Sequence, residues 1–206
     1  MRLAILLVLS ISVPAAHAQD PPDFRDKLLD TLGPAAPTPL TREQGFQAYL
    51  LNTIGPIPII GEGLGSALAQ RTDSPSEWGQ GWAAYGKRFG SNLAYNAVRQ
   101  TISYSVASAL HEDYRYFGSP DQGVWRRARH ALVSTVAARR SDGREVFSFA
   151  SVASVAGASS LSSIWGPPSW KGAANISEIA GISFASTAAF NVIREFLPDI
   201  LGRPRK

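Results

Sequence analysis

The chain has 206 residues, 45% of them apolar and 17% charged, with a formal net charge of +4 and no cysteine. That is one domain with tails, long enough to bury a core and too apolar for wholesale disorder. The absence of cysteine excludes a disulfide framework, a thiolate metal site and a cysteine nucleophile.

Met1-Arg2, the apolar run Leu3 to Val13 and Ala16-His17-Ala18 have the layout of a secretory signal peptide over residues 1–18, with cleavage before Gln19. The run would rise only about 16 Å as a helix, too short for a hydrocarbon core of ~30 Å. Export leaves little access to ATP or NAD(P)H, so the expectation is no cofactor, no nucleotide and no nucleic acid. Residues 19–41 are rich in proline and read as a semi-rigid linker with one short helix, Asp23 to Leu32, between its proline stretches.

Thr41 can cap a helix running to about Ile54, which Gly55-Pro56-Ile57-Pro58 breaks. Ile59 to Gln70 reads as a short helix loosened by Gly61, Gly63 and Gly65; that glycine run lacks the lysine and helix start of a phosphate cradle. Ser74-Pro75-Ser76-Glu77 spells a capping box with a first-turn proline, which predicts a long helix from there to about Leu110. Gly79, Ala83, Gly86, Gly90, Ala94, Ala97 and Thr101 line one side of it, a spacing that suits close packing of a neighbour.

His111 to Pro120 is a polar connection, and Asp121 to Arg139 reads as a helix. Ser141-Asp142-Gly143 is a turn. From Ser148 to Ser163, 12 of 16 residues are Ser, Ala or Gly. Trp165-Gly166-Pro167-Pro168-Ser169-Trp170 turns the chain into a last helix, Ala173 to Phe196, with small positions at Ala174, Gly181, Ala185 and Ala188. Leu197-Pro198 should end it, before a basic tail at 201–206. No strand is expected. The fold class is therefore all-α: a single helical domain over 42–200, a bundle of about five or six helices with a long central helix and a C-terminal helical hairpin.

Tyr85-Gly86-Lys87-Arg88-Phe89-Gly90, Leu110-His111-Glu112-Asp113-Tyr114-Arg115-Tyr116-Phe117 and Arg194-Glu195-Phe196-Leu197-Pro198-Asp199 together resemble a group of exported bacterial helical proteins, over about residues 78–200. The group often has proline after His-Glu-Asp, where Tyr114 stands here. The resemblance implies export and an all-helical fold; it brings no activity, cofactor or site residue.

Two constellations carry chemistry. His111-Glu112-Asp113 is the densest titratable cluster and the candidate catalytic group: His111 as base, Glu112 or Asp113 orienting it, in an envelope hydrolase acting on phospholipid or a cell-wall polymer. It can equally be a helix C-terminus with paired carboxylates. No metal is expected, because the H-E-x-x-H spacing is absent. The second is charge. Residues 115–144 hold seven arginines against two aspartates. Arg126, Arg129 and Arg140 are the candidate binding residues, on a helical face that could meet anionic lipid or another envelope component. The leading expectation is a non-catalytic exported protein, periplasmic or envelope-associated, that binds membrane through that face.

Overall fold

The computed structural model describes residues 29–36, 38–140 and 143–202. The signal-peptide expectation at 1–18, residues 19–28 and 37 of the linker and the tail beyond 202 lie outside the described residues. Six helices carry the fold: α1 (Arg42–Ile54), α2 (Pro56–Arg71), α3 (Trp82–Leu110), α4 (Val124–Val133), α5 (Phe149–Trp165) and α6 (Ala173–Ile200). The all-α bundle holds, with the 29-residue α3 at its centre. Helices α5 and α2 flank α3, and α6 packs on α5 and α4.

Local chemistry explains the boundaries. Thr41 and Gln44 form a reciprocal capping box at the start of α1. Gly55 closes α1 and opens α2, with Pro56 in the first helical position. Asn96 of α3 donates to the carbonyls of Asn52 and Thr53, satisfying the last turn of α1.

Three expectations are corrected. First, Ser74-Pro75-Ser76-Glu77 does not open the long helix. Ser76–Trp78 is a single 3-10 turn, with no side-chain cap. The buried Arg88 reaches back from α3 and donates to the carbonyls of Ser74, Pro75 and Gly79 and to the Gln70 side chain. These bonds hold residues 74–79 as a loop, and Gly79 and Gly81 adopt positive φ before α3 begins at Trp82.

Second, the helix expected over 121–139 stops at Val133, and a small antiparallel sheet follows. Its strands are β1 (Glu112–Asp113), β2 (Ala137–Arg140) and β3 (Glu145–Phe147), in the order β1-β2-β3. Glu112 faces Arg140, Asp113 faces Arg139, and Ala137 faces Phe147. Gly143, at φ 83°, serves the hairpin turn. Third, α6 continues through Pro198 to Ile200. The proline sits in the last turn, so it removes only one intrahelical bond.

The core is built from small and polar residues. Six of the nine buried apolar residues are alanine, and among the described residues no Leu, Ile or Trp is buried. On α5, Ala150, Ser154, Val155, Ala158, Ser159 and Ser162 form the buried face. Ser154 and Ser162 donate to carbonyls of their own helix, and Tyr95 of α3 bonds Ser159, so these hydroxyls occupy alanine-sized space without an unmet bond. At Gly157 an added Cβ would lie 2.6 Å from Ile102, which is the close α3–α5 approach.

The other small-residue faces do not pack as expected. A Cβ at Gly79, Gly86, Gly90 or Gly181 would meet nothing within 4 Å. Ala83, Ala174 and Ala185 are exposed as well.

Candidate functional site

The His111 turn is the junction of three elements. His111 closes α3 in the left-handed conformation (φ 55°, ψ 41°), its N–H donating to Ala107 O, and its side chain is exposed. The next two carboxylates are engaged away from it. Glu112 accepts from the Ala150 N–H at 3.1 Å, the Phe149 N–H at 3.3 Å and the Ser148 hydroxyl at 3.3 Å, and so caps the N-terminus of α5. Asp113 is held by Arg115 through a 2.6 Å contact to Nη2 and two from Nε. Arg115 in turn donates to Thr38 O, and the Ala35 N–H to Tyr116 O, which ties the end of the linker to this turn. His111 is thus brought beside both carboxylates in sequence and given an orienting bond by neither. The capping and pairing reading describes what each carboxylate does.

A cleft of about 750 Å³ opens here between α1, the end of α3 and the β1–β2 edge. Its basic lining is Arg42, Arg115, Arg139, Arg140 and His111, and Leu40, Ala48 and Tyr104 form apolar wall. Phe117 gathers two of the guanidiniums: Arg139 lies 4.3 Å from its ring centroid and Arg115 5.3 Å. The Arg139 Nε is buried and has no hydrogen-bond partner. Tyr114 also lines the cleft, and burial, the largest influence on its phenol, raises it above its usual value.

The arginines expected on one face are divided. Arg126 and Arg129 are exposed on α4, with Asp121 3.7 Å from Arg126. Arg140 lies on β2 and lines the cleft, because α4 ends at Val133. Arg127 turns inward. It bonds Glu195 Oε1 at 2.9 Å, Glu195 O at 2.8 Å and Asp199 at 2.6 Å, and sits 4.4 Å from the Phe196 ring centroid. Burial pulls its guanidinium down; the hydrogen bonds to Glu195 and Asp199 outweigh this and raise it. Glu195 is fully buried and also accepts from the Ser119 N–H and the Tyr116 hydroxyl.

This buried Arg127–Glu195 node and the Arg88 carbonyl cage escaped sequence reasoning, which weighs charged residues as surface. The available signal was the three segments that carry the resemblance: they contain Arg88, Tyr116, Glu195 and Asp199. Among the described residues, no three His, Asp or Glu side chains gather as a metal-ligand set. Comparison with protein-family models, curated proteins and solved structures finds no match to this chain.

Proposed function

We propose that this is an exported, non-catalytic protein of the cell envelope that seats its outward helix faces in a membrane. One observation carries the reading: the burial pattern is inverted. Among the described residues, Ala, Ser, Arg88, Arg127 and Glu195 are inside with only Tyr116, Phe117 and Val155 as large apolar groups, while twenty-four large apolar side chains are exposed. They form stripes at helical spacing: Phe46, Leu50 and Ile54 on α1, and Ile57, Ile60, Leu64 and Leu68 on α2. A soluble monomer rarely shows apolar patches on this scale. In lipid the pattern is economical, because helices there pack through small residues and bury their polar groups against one another.

Helix α6 supports the same reading. It is long and apolar enough to cross a membrane, with a best-window mean hydropathy of 1.4, and only 6% of that window is buried. That exposure contrasts with the mostly buried core helix of a water-soluble bundle, and the helix lies far from the N-terminus. Each half-exposed Leu or Ile moved into lipid contributes on the order of 1 kcal/mol, so the α2 stripe alone contributes several. Arg126 and Arg129 on α4 then suit the anionic headgroup level.

The test is fractionation of cells making the full chain. It should sediment with membranes, stay there in a high-salt wash and be released by detergent. Release by salt alone would mean attachment by charge and would defeat the apolar-face reading.

A further inference from the structure

We infer that the cleft at the His111 turn is a receptor for a single phosphate-bearing lipid headgroup. The inference rests on the membrane reading and specifies its partner. The charge balance of the cleft comes first. Its two carboxylates are outnumbered by four arginines: Glu112 caps α5 and Asp113 is paired with Arg115. Among the described residues, Arg42, Arg139 and Arg140 make no ion pair. The cleft therefore carries an excess of positive charge, which a bound anion would offset.

The donor geometry suits phosphate. Arg139 lines the cleft with its guanidinium carbon 4.3 Å from the Phe117 ring centroid, a contact that restrains it. A guanidinium presents a two-pronged donor that matches two phosphate oxygens, which a lysine cannot do. Arg42 and Arg140 also line the cleft and are exposed.

The apolar surroundings point to a lipid rather than a free ion. Helix α1 walls the cleft with Arg42, Gly45, Ala48 and Asn52. Its adjacent face presents Phe46, Leu50 and Ile54 outward. Phe46 and Tyr49 contact the cleft residue Tyr104, with ring centroids 6.2 and 5.0 Å away. A headgroup phosphate in the cleft would thus leave its acyl chains along a continuous aromatic and aliphatic surface. The volume of about 750 Å³ accommodates a headgroup and its glycerol.

The experiment titrates the full chain in neutral detergent with short-chain phosphatidylglycerol, and separately with glycerol phosphate, by calorimetry. The lipid should saturate at one per chain and bind more tightly than glycerol phosphate. Arg42→Gln with Arg140→Gln should weaken it roughly thirtyfold. Arg126→Gln with Arg129→Gln removes the same charge outside the cleft and should cost less than about threefold. Arg139→Lys keeps charge but loses the fork, and should weaken binding while helix content is unchanged. Equal losses from both double variants, or no saturation, would overturn the site. Equal affinity for glycerol phosphate would overturn the lipid assignment in favour of a free-phosphate site. Partition into zwitterionic vesicles, the same for wild type and variants, reads the apolar faces alone, so the membrane reading stands or falls separately.

Discussion

The node that joins α4 to α6 gives the sharpest test of the packing account. Glu195 has no solvent exposure, and Arg127 is a countercharge within hydrogen-bond reach of it. Arg127→Met removes that countercharge from a buried carboxylate that the Ser119 N–H and the Tyr116 hydroxyl also serve. Breaking a buried pair from one side costs about 3–5 kcal/mol. Against a typical domain stability of about 5–15 kcal/mol, that removes a large share. Glu195→Gln should cost less, about 2 kcal/mol, because the amide keeps the shape and Arg127 keeps Asp199. Combining Arg127→Met with Glu195→Leu should cost less than the sum of the two single changes, since neither charge is then stranded. Arg126→Met is the control: its pair with Asp121 spans 3.7 Å at an exposed site and is worth under about 1 kcal/mol. Urea unfolding followed by circular dichroism reads all five, Glu195→Leu alone included. If Arg127→Met costs no more than Arg126→Met, Glu195 is not a buried, paired charge, and the node does not hold the helices.

Three further outcomes follow from the geometry. Gly86→Ala should raise stability by about 0.5–1 kcal/mol, because the added methyl meets nothing and alanine favours helix; Gly166→Ala should lower it, because its Cβ would fall 2.2 Å from the Trp170 ring, and thermal melts compare them. Glu112→Ala should lower stability by about 1–2 kcal/mol through the lost α5 cap, whereas His111→Ala should change it little. Tyr114 titrates above its usual value near 10.0, burial being the main cause, so its contribution is intact below pH 10 and falls as pH rises through the native value; Tyr114→Phe should flatten that alkaline loss in a pH series of melts.

Local chemistry was legible where its partner is nearby in sequence. Thr41, Gly55-Pro56 and the Trp165–Trp170 turn act within a few residues, and they sit where the pattern put them. The Ser74 motif failed because its competitor is distant: Arg88 takes the carbonyls of Ser74, Pro75 and Gly79, and Glu77 accepts from the Ser169 N–H. Strand β2 has no alternation to read, and its pairing to β1 joins residues far apart in the chain. The spacing of small residues on α3, α5 and α6 is alike, yet only α5 turns that face inward. Spacing defines a face and leaves its neighbour undefined. At the site, the carboxylates of Glu112 and Asp113 were visible as a cluster, but their engagement depends on where α5 and Arg115 arrive.

The cysteine-free chain allows the central claim to be probed one position at a time. Single cysteines at Leu64 on α2, Ile182 on α6 and Arg126 on α4, each spin-labelled in lipid vesicles, would report collisions with oxygen, which concentrates in lipid, and with a water-soluble nickel chelate. Leu64→Cys and Ile182→Cys should be open to oxygen and shielded from nickel, and Arg126→Cys the reverse. Nickel access at Leu64 and Ile182 equal to that at Arg126 would place the apolar faces in water and contradict the membrane reading.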